Sequence, residues 1–550
     1  MNKQQTPLTT RLSGKWLDIL QRRIRPGHFH IENGKIISFE DAAVEEDLFI
    51  LPGFIDAHIH IESSMLVPYE FARIALVHGT VATVSDPHEI ANVMGLDGVH
   101  YMLENARGAF LKFNFGAPSC VPATSFESAG ARLGPKEVES LLQRDDILYL
   151  SEMMNYPGVL SGDEEVMEKI KMARRYGKPV DGHAPGLKGE DAKRYIGAGI
   201  STDHECFTLE EALGKIGHGM KILIREGSAA RNFDALHPLL GTHPAQCMFC
   251  SDDKHPDELL IGHINQLVAR SVALGYELFD ILYAACIHPV LHYKLPVGLL
   301  QPGDPADFIL TRNLSDFRIE KTYINGVCVA EHGKSILPPK AHALVNHFHT
   351  TLTRADDFRI PAPSEKIRLI EVYDGQLITG ESVVQATSEN GYLVPDTGRD
   401  ILKIAVVNRY AKEKPACAFI KNFGLERGAI ASSVAHDSHN IIVVGADDES
   451  ICRAVNLLVA HTGGLSLVDG PEEMVIALPV AGLMSDQDCH TIGSAYADID
   501  HKARQMGSRL RAPYMSLSFM ALLVIPQLKL SDKGLFDGTS FRFTSLFPEG

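Results

Sequence analysis

Residues 51–64 read LPGFIDAHIHIESS, an apolar run passing into polar chain with two histidines one residue apart. Extended chain alternates its side chains between two faces. Asp56, His58, His60 and Glu62 then share one face, and Ala57, Ile59 and Ile61 the other. The first face offers a row of donors to a cation, although a half-buried strand carrying imidazoles would have the same spacing. The downstream chain decides between them. From residue 51 to about 295, short apolar runs alternate with helical stretches: TVATVSD (80–86), ILYLSE (147–152), PVDGHA (179–184), GISTDHE (199–205) and AQCMFCSDD (245–253). That alternation reads as βα units around a parallel sheet or barrel.

Four of these runs close on a residue able to bind metal: Glu152, His183, His204 and Asp252. A parallel βα barrel gathers its strand ends on one rim, where such folds keep their chemistry. Each residue alone has a plainer use: Asp252 as a helix cap, Glu152 paired with an arginine, His183 in a turn. Together with His58 and His60 they make four imidazoles and two carboxylates, more than one tetrahedral ion takes. Two cations sharing Glu152 is the economical arrangement. Nitrogen and oxygen donors without thiolate admit zinc, manganese or iron. A bound cation brings the pKa of water from about 15.7 to about 7. Asp252 could hold the resulting hydroxide, take its proton and pass it to a leaving group.

Composition sets the limits. The 550 residues are 45% hydrophobic and 22% charged, ordinary soluble material for two or three domains. A net charge of −17 without a Lys/Arg stripe excludes a nucleic-acid partner and favours a small substrate. MNKQQTPLTTRLSGKW lacks the apolar run of a secretory signal, and no stretch approaches the ~18 apolar residues of a membrane span. Nine dispersed cysteines fit reduced thiols, so a cytoplasmic location is expected. Residues 1–50 and 296–360 are expected to form one composite small β domain. Its signals are Asn33-Gly34, LLQPGDPADFIL (299–310) and Asn325-Gly326, two of them hairpin turns. Residues 51–295 form the catalytic barrel. After RIPAPSEK (359–366), which resembles a linker, residues 361–550 form a separate α/β domain. There NIIVVG (440–445) precedes a helix capped by Asp447 or Asp448, with Gly463-Gly464 at its end.

Six segments carry a family resemblance: GFIDAHIHIESSM (53–65), DPHEIANVMG (86–95), STDHECFTLEEAL (201–213), ILIREGSAARN (222–232), FCSDDKHPDEL (249–259) and ASSVAHDSHNIIVVG (431–445). The chain resembles the bacterial adenine deaminases, a branch of the amidohydrolase superfamily, over nearly its whole length. The resemblance implies a metal-bearing (β/α)8 TIM-like barrel, a composite β domain and an added C-terminal domain. It implies hydrolysis of adenine to hypoxanthine and ammonia, a step of purine catabolism, in a homo-oligomer, a dimer. It also implies that His58, His60, Glu152, His183, His204 and Asp252 hold two divalent ions, manganese first, with iron and zinc as alternatives. Asp252 doubles as proton shuttle. Many relatives bridge their metals with a carboxylated lysine, but YLSEMMN has none, in keeping with Glu152 as the bridge. The section before LPGFIDAH is shorter than usual in the family, and GTVATVSD reads Val-Ala where threonines are usual.

Attack at C6 of adenine is helped when N1 receives a proton. Glu89 in SDPHEIANV is the candidate acid, with His88 beside it. The alternative is that Pro87 opens a helix and Glu89 serves its dipole. Arg225 and Ser228 are expected to pack or shape the pocket wall. His436, Asp437 and His439 would be a lid, an extra metal site or a turn before a strand. A rival zinc-deaminase pattern, His60-Ile61-Glu62 with Cys247-Met248-Phe249-Cys250, fails because the second motif lacks its proline and lies far downstream. Two other functions fit the ligands: a cyclic amidohydrolase of the dihydroorotase or hydantoinase kind, and a non-catalytic metal-binding scaffold. The intact Asp252 argues against the scaffold.

Overall fold

Eight short parallel strands close into a barrel: β1 (Phe54–Ile59), β2 (Thr80–Ser85), β3 (Lys112–Ala117), β4 (Ile147–Met153), β5 (Val180–Gly182), β6 (Thr202–Asp203), β7 (Lys221–Arg225) and β8 (Cys247–Cys250). In this computed structural model, β1 to β5 pair in order and β6 to β8 pair in order. Backbone bonds join the two groups: Ser201 N donates to Val180 O at 2.9 Å, and Asp252 N to His58 O at 2.9 Å. The description covers residues 9–228 and 230–548. The first eight residues, assigned from sequence to the small β domain and to the reading against a signal, lie outside the described residues, as do Ala229 in ILIREGSAARN and the last two residues.

Strands β1 and β2 are buried throughout, as expected where helices cover the outside and side chains fill the inside. β3 was not among the strand runs read from sequence, because KFNFGA mixes lysine, asparagine and glycine. The outer helices carry ordinary signals. Glu164–Arg175 starts with Asp163 accepting from Val166 N, has Glu164 and Glu165 in its first turn, and ends on Arg174 and Arg175. Among the described residues no helix is long and apolar enough to cross a membrane.

A second, eight-stranded sheet joins distant parts of the chain, with Phe308–Thr311 antiparallel to Phe49–Pro52. Both hairpins form there. Asn33 and Gly34 have φ of 49° and 77°, Asn325 and Gly326 of 47° and 74°, the left-handed pair a type I′ turn requires. This sheet ends at Lys334–Ser335. The chain beyond, grouped with it from sequence to residue 360, first crosses the barrel, where Tyr69 Oη donates to Pro338 O at 3.0 Å and Tyr101 Oη to Ala343 O at 3.0 Å, and from His349 lies on the C-terminal sheet. His349 N donates to Arg409 O at 2.8 Å, and Phe358 buries against the helix Asp448–Ala460. RIPAPSEK is no free linker either, since Ile360–Pro361 pairs with Tyr392–Val394. Proline is tolerated at such an edge.

The C-terminal unit holds its own eight-stranded sheet, mainly antiparallel, with Lys366–Val372 and Ala416–Lys421 as its parallel pair. Asp447 is the cap of Asp448–Ala460, accepting from Ser450 N. Strand Ala429–Ser432 leads into the turn 433–440, and that turn enters the mouth of the barrel.

Candidate metal centre

The strand ends converge as the barrel requires. His60 Nε2 lies 3.2 Å from His58 Nε2, 3.2 Å from Asp252 Oδ1 and 3.5 Å from Glu152 Oε1. Glu152 Oε2 lies 2.9 Å from His183 Nδ1 and 3.1 Å from His204 Nε2. The His58 and His204 rings stack at 4.1 Å. All six sequence-selected ligands therefore surround one space, and Glu152 belongs to donor groups on both sides of it. Two donors about 2.1 Å from a tetrahedral cation stand roughly 3.4 Å apart, close to these separations. Two ring nitrogens, His58 Nδ1 and His183 Nε2, are buried without a hydrogen-bond partner. His60 Nδ1 faces Asp86 O at 3.2 Å, the outer hydrogen bond that orients a ligating imidazole.

Electrostatics fits the same use. Burial favours a neutral Glu152, yet His183 and His204 hold its carboxyl well below the usual range. Burial likewise opposes charge on Asp252, and Arg225, His58 and His60 outweigh it. Burial disfavours a charged His183, but Glu152 pushes it up to about 9. His60 rises well above its usual value for the same kind of reason, with Asp252 opposing burial. The pocket draws positive charge, which protons or cations can supply, and its donor set suits a pair of divalent ions.

Asp252 is held from several sides. Its backbone sits at φ 53°, in the left-handed region, and its carbonyl accepts from His60 N at 3.2 Å. Its Oδ2 accepts from Arg225 Nη1 at 2.6 Å, and the same guanidinium pairs closely with Glu205. Arg225 is thus a buried clamp on Asp252, more than the wall expected from sequence. Ser228 is structural, its Oγ donating to Glu258 Oε2 at 3.0 Å and accepting from His255 N at 2.8 Å.

Two members of the first row of donors go elsewhere. Asp56 ties β1 to β8, accepting from Ser251 N at 3.0 Å and lying 2.8 Å from His263 Nε2. Glu62 lies beyond the end of the strand, in the short 3₁₀ turn Ile61–Ser64, and accepts from Ile90 N at 3.2 Å. The extended row stops at Ile59. Sequence reasoning also missed Asp86, whose Oδ2 stands 3.1 Å from His88 Nδ1 in a donor group with His60 and Glu152. It ends TVATVSD, so the strand-end rule applied to that run selects it.

Glu89 stands where either of its readings would place it. It lies in the first turn of the helix α1 (His88–Met94), and its buried carboxylate faces the cavity. His88 Nε2 is 3.5 Å from Glu89 Oε1. The cavity is lined by His60, His88, Glu89, Glu152, His183, His204 and Asp252 on the barrel side. Leu377, His436, Asp437, Phe519 and Leu522 close it from the C-terminal unit. The HDSHN segment therefore acts as a roof over the centre, and Cys247 and Cys250 are buried free thiols pushed up by burial.

Residues 49–329 match the amidohydrolase family, and residues 376–542 match the adenine deaminase C-terminal domain. The chain is 53% identical to a protein named adenine deaminase from Salinibacter ruber, covering 98% of this chain and 99% of that one. It is 50% identical to a protein of the same name from Methanosarcina mazei, covering 97% and 98%. A solved β-aspartyl dipeptidase from Fervidobacterium islandicum aligns over 61% of this chain and 99% of its own, at 14% identity and a TM-score of 0.46.

Proposed function

Because the chain belongs to the adenine deaminase family of the amidohydrolases, we propose that it hydrolyses adenine to hypoxanthine and ammonia in this cavity. The observation that carries the reading is the convergence of six strand-end donors, Glu152 among them, on one space, with Glu89 also in its lining. Two divalent cations held by His58, His60, Glu152, His183, His204 and Asp252 would supply hydroxide near neutral pH by lowering the pKa of water toward about 7.

The chain's own residues supply the rest. Asp252, kept ionised by Arg225, accepts the proton of the attacking water and passes it to the departing amine. Glu89 delivers a proton to N1, which draws electron density from C6, and His88 beside it steadies the carboxylate. Phe519, Leu377 and Leu522 offer apolar surface to a flat ring and keep bulk water out. The relatives do not favour a cyclic amidohydrolase or an inert scaffold. Manganese as the resident ion, a dimer and a cytoplasmic location remain part of the proposal. The test is ammonia release and the ultraviolet change to hypoxanthine when manganese-loaded protein meets adenine. Turnover of a dihydropyrimidine with none of adenine would overturn the reading.

A further inference from the structure

We propose that the C-terminal unit completes the catalytic acid: His436 holds the proton that Glu89 gives to N1, and His439 fixes the carboxylate that carries it. This rests on Glu89 as the acid of the proposed reaction.

Both oxygens of Glu89 face imidazoles of one turn, His436 being 347 residues away in sequence. His436 Nδ1 stands 2.6 Å from Glu89 Oε1, and His439 Nε2 is in close contact with Oε2. All three side chains are buried. The two histidines are not equivalent. The Nδ1 of His439 accepts from Ala435 N at 3.3 Å. Its hydrogen therefore sits on Nε2, the nitrogen in contact with Glu89 Oε2, and the ring is held neutral. His436 has no such backbone restraint on Nδ1. Its ring stacks on Phe519 at 4.8 Å and 20°, which sets its plane toward the carboxylate. A proton shared along the 2.6 Å Nδ1···Oε1 line can move to Glu89 without any rearrangement of heavy atoms.

The surrounding charges support this division. Burial opposes charge on His436, but Glu89 pushes it up to about 9, with Asp253 and Asp437 adding to the effect. Burial lowers His439, helped by His436 and Arg409. Glu89 itself, though burial opposes it, is held well below the usual carboxylate range by His436, His439 and His88. Glu62 and His255 are the other titratable groups facing the pair. At neutral pH the proton therefore rests on His436, and Glu89 is its relay.

The step balances. The proton leaves His436 Nδ1 for Glu89 Oε1 and passes from Glu89 to N1, and hydroxide adds to C6. Asp252 carries the first proton of water to the amine, which leaves as ammonia when the C6–N bond breaks. The C6 hydroxyl then releases the second proton, which returns the Glu89–His436 pair to its starting state. The hydrogens of water thus balance the new N1–H and the third hydrogen of ammonia.

Two measurements test the proposal on full-length protein, loaded with diamagnetic zinc for the first and with manganese for the second. In the first, ¹⁵N-histidine NMR reads the state of His436 without catalysis. An imidazolium signal at pH 7.5, assigned by its loss in His436→Gln and turned neutral in Glu89→Gln, supports the pair; a neutral His436 in the parent protein overturns it. In the second, kcat for adenine is followed from pH 6 to 10 in His436→Gln and His439→Gln, with metal content checked. His436→Gln should lower kcat by at least about tenfold at unchanged metal content and remove the alkaline fall near pH 9. His439→Gln, which can still donate, should keep that fall. A His436→Gln enzyme with parental kcat and pH profile overturns the proposal. If the parent enzyme leaves adenine untouched, the functional reading fails, while the NMR result still decides the proton's place.

Discussion

Replacing Arg225 by methionine isolates the clamp on Asp252. The guanidinium is fully buried and makes three charge-assisted bonds: Nη1 to Asp252 Oδ2 at 2.6 Å, Nη1 to Glu205, and Nη2 to Glu205 Oε2 at 3.2 Å. Methionine fills much of the volume and removes the charge. Two carboxylates are then left buried without their cation, and breaking such a pair by deleting one partner costs about 3–5 kcal/mol. Three hydrogen bonds to charged groups, at about 1.5–3 kcal/mol each, give an upper bound of roughly 4.5–9 kcal/mol that meets this range at its lower end. The assay is equilibrium urea unfolding of manganese-loaded protein, followed by far-ultraviolet circular dichroism. The midpoint should fall in Arg225→Met, and Arg225→Met/Glu205→Gln should recover at least about 1 kcal/mol by removing one stranded charge. Arg225 is also the foremost charge holding Asp252 ionised, so kcat should fall at least about tenfold as its carboxyl becomes harder to ionise. A loss below about 1 kcal/mol with kcat unchanged would refute the reasoning, because it would mean that water or a rearranged neighbour replaces the arginine at no cost.

Three further outcomes arise from buried charges. Without cations His183 is pushed up to about 9 and His60 well above its usual value, so loading the apoprotein with manganese at pH 7.5 should expel about two protons per site. Calorimetry in buffers of different ionisation enthalpy measures this, and binding without proton release contradicts the assigned ligands. Lys529 is buried with no acid beside it, donates to Leu377 O at 2.6 Å and Phe519 O at 3.0 Å, and is lowered by burial to about 7. Those carbonyls belong to two apolar walls of the cavity. Lys529→Met should therefore raise KM for adenine about tenfold, the equivalent of one hydrogen bond of about 1.4 kcal/mol, with a smaller effect on kcat. An unchanged KM would leave Lys529 no part in shaping the cavity. Burial raises Glu127 to about 8. Its contribution is complete below its unfolded value near 4.5 and is lost as pH rises toward 8, at up to ~1.4 kcal/mol per unit. Glu127→Gln should match the parent in urea unfolding at pH 4 and gain on it at pH 8; parallel curves at the two pH values would count against this.

The ligands were legible because a parallel barrel turns a one-dimensional pattern into a ring. Each donor closes an apolar strand, so the positions of Glu152, His183, His204 and Asp252 emerged once the βα rhythm was seen. The same rule stopped short where a strand's end is invisible. Nothing in DAHIHIE says that extension stops at Ile59, so Glu62 looked like a ligand while lying in a 3₁₀ turn. Asp56 looked like one because its partners Ser251 and His263 are about 200 residues away. The HDSHN part of the roof was open to a lid reading, but its apolar part was unreadable for a related reason. Leu377, Phe519 and Leu522 are ordinary apolar residues in sequence, and only the docking of two folded units makes them cavity walls. Prolines misled at RIPAPSEK, where an edge strand and a linker accept them equally well.

Placing the centre at a seam between two units has a chemical consequence. Hydrolysis at C6 needs a base that stays ionised and an acid that stays protonated at one pH, only a few ångströms apart, and identical carboxyls in one environment cannot do both. Here the two carboxylates are differentiated by their neighbours. Asp252 faces Arg225, which cannot give up a proton, and so stays a base. Glu89 faces His436, which can, and so becomes one end of an acid. The barrel supplies the first partner from β7, and the C-terminal unit supplies the second. A barrel alone, carrying every ligand and Glu89, would present that carboxylate without the imidazoles that hold its proton. The added unit is in this sense part of the catalyst, and its docking is what separates the two carboxylates into base and acid.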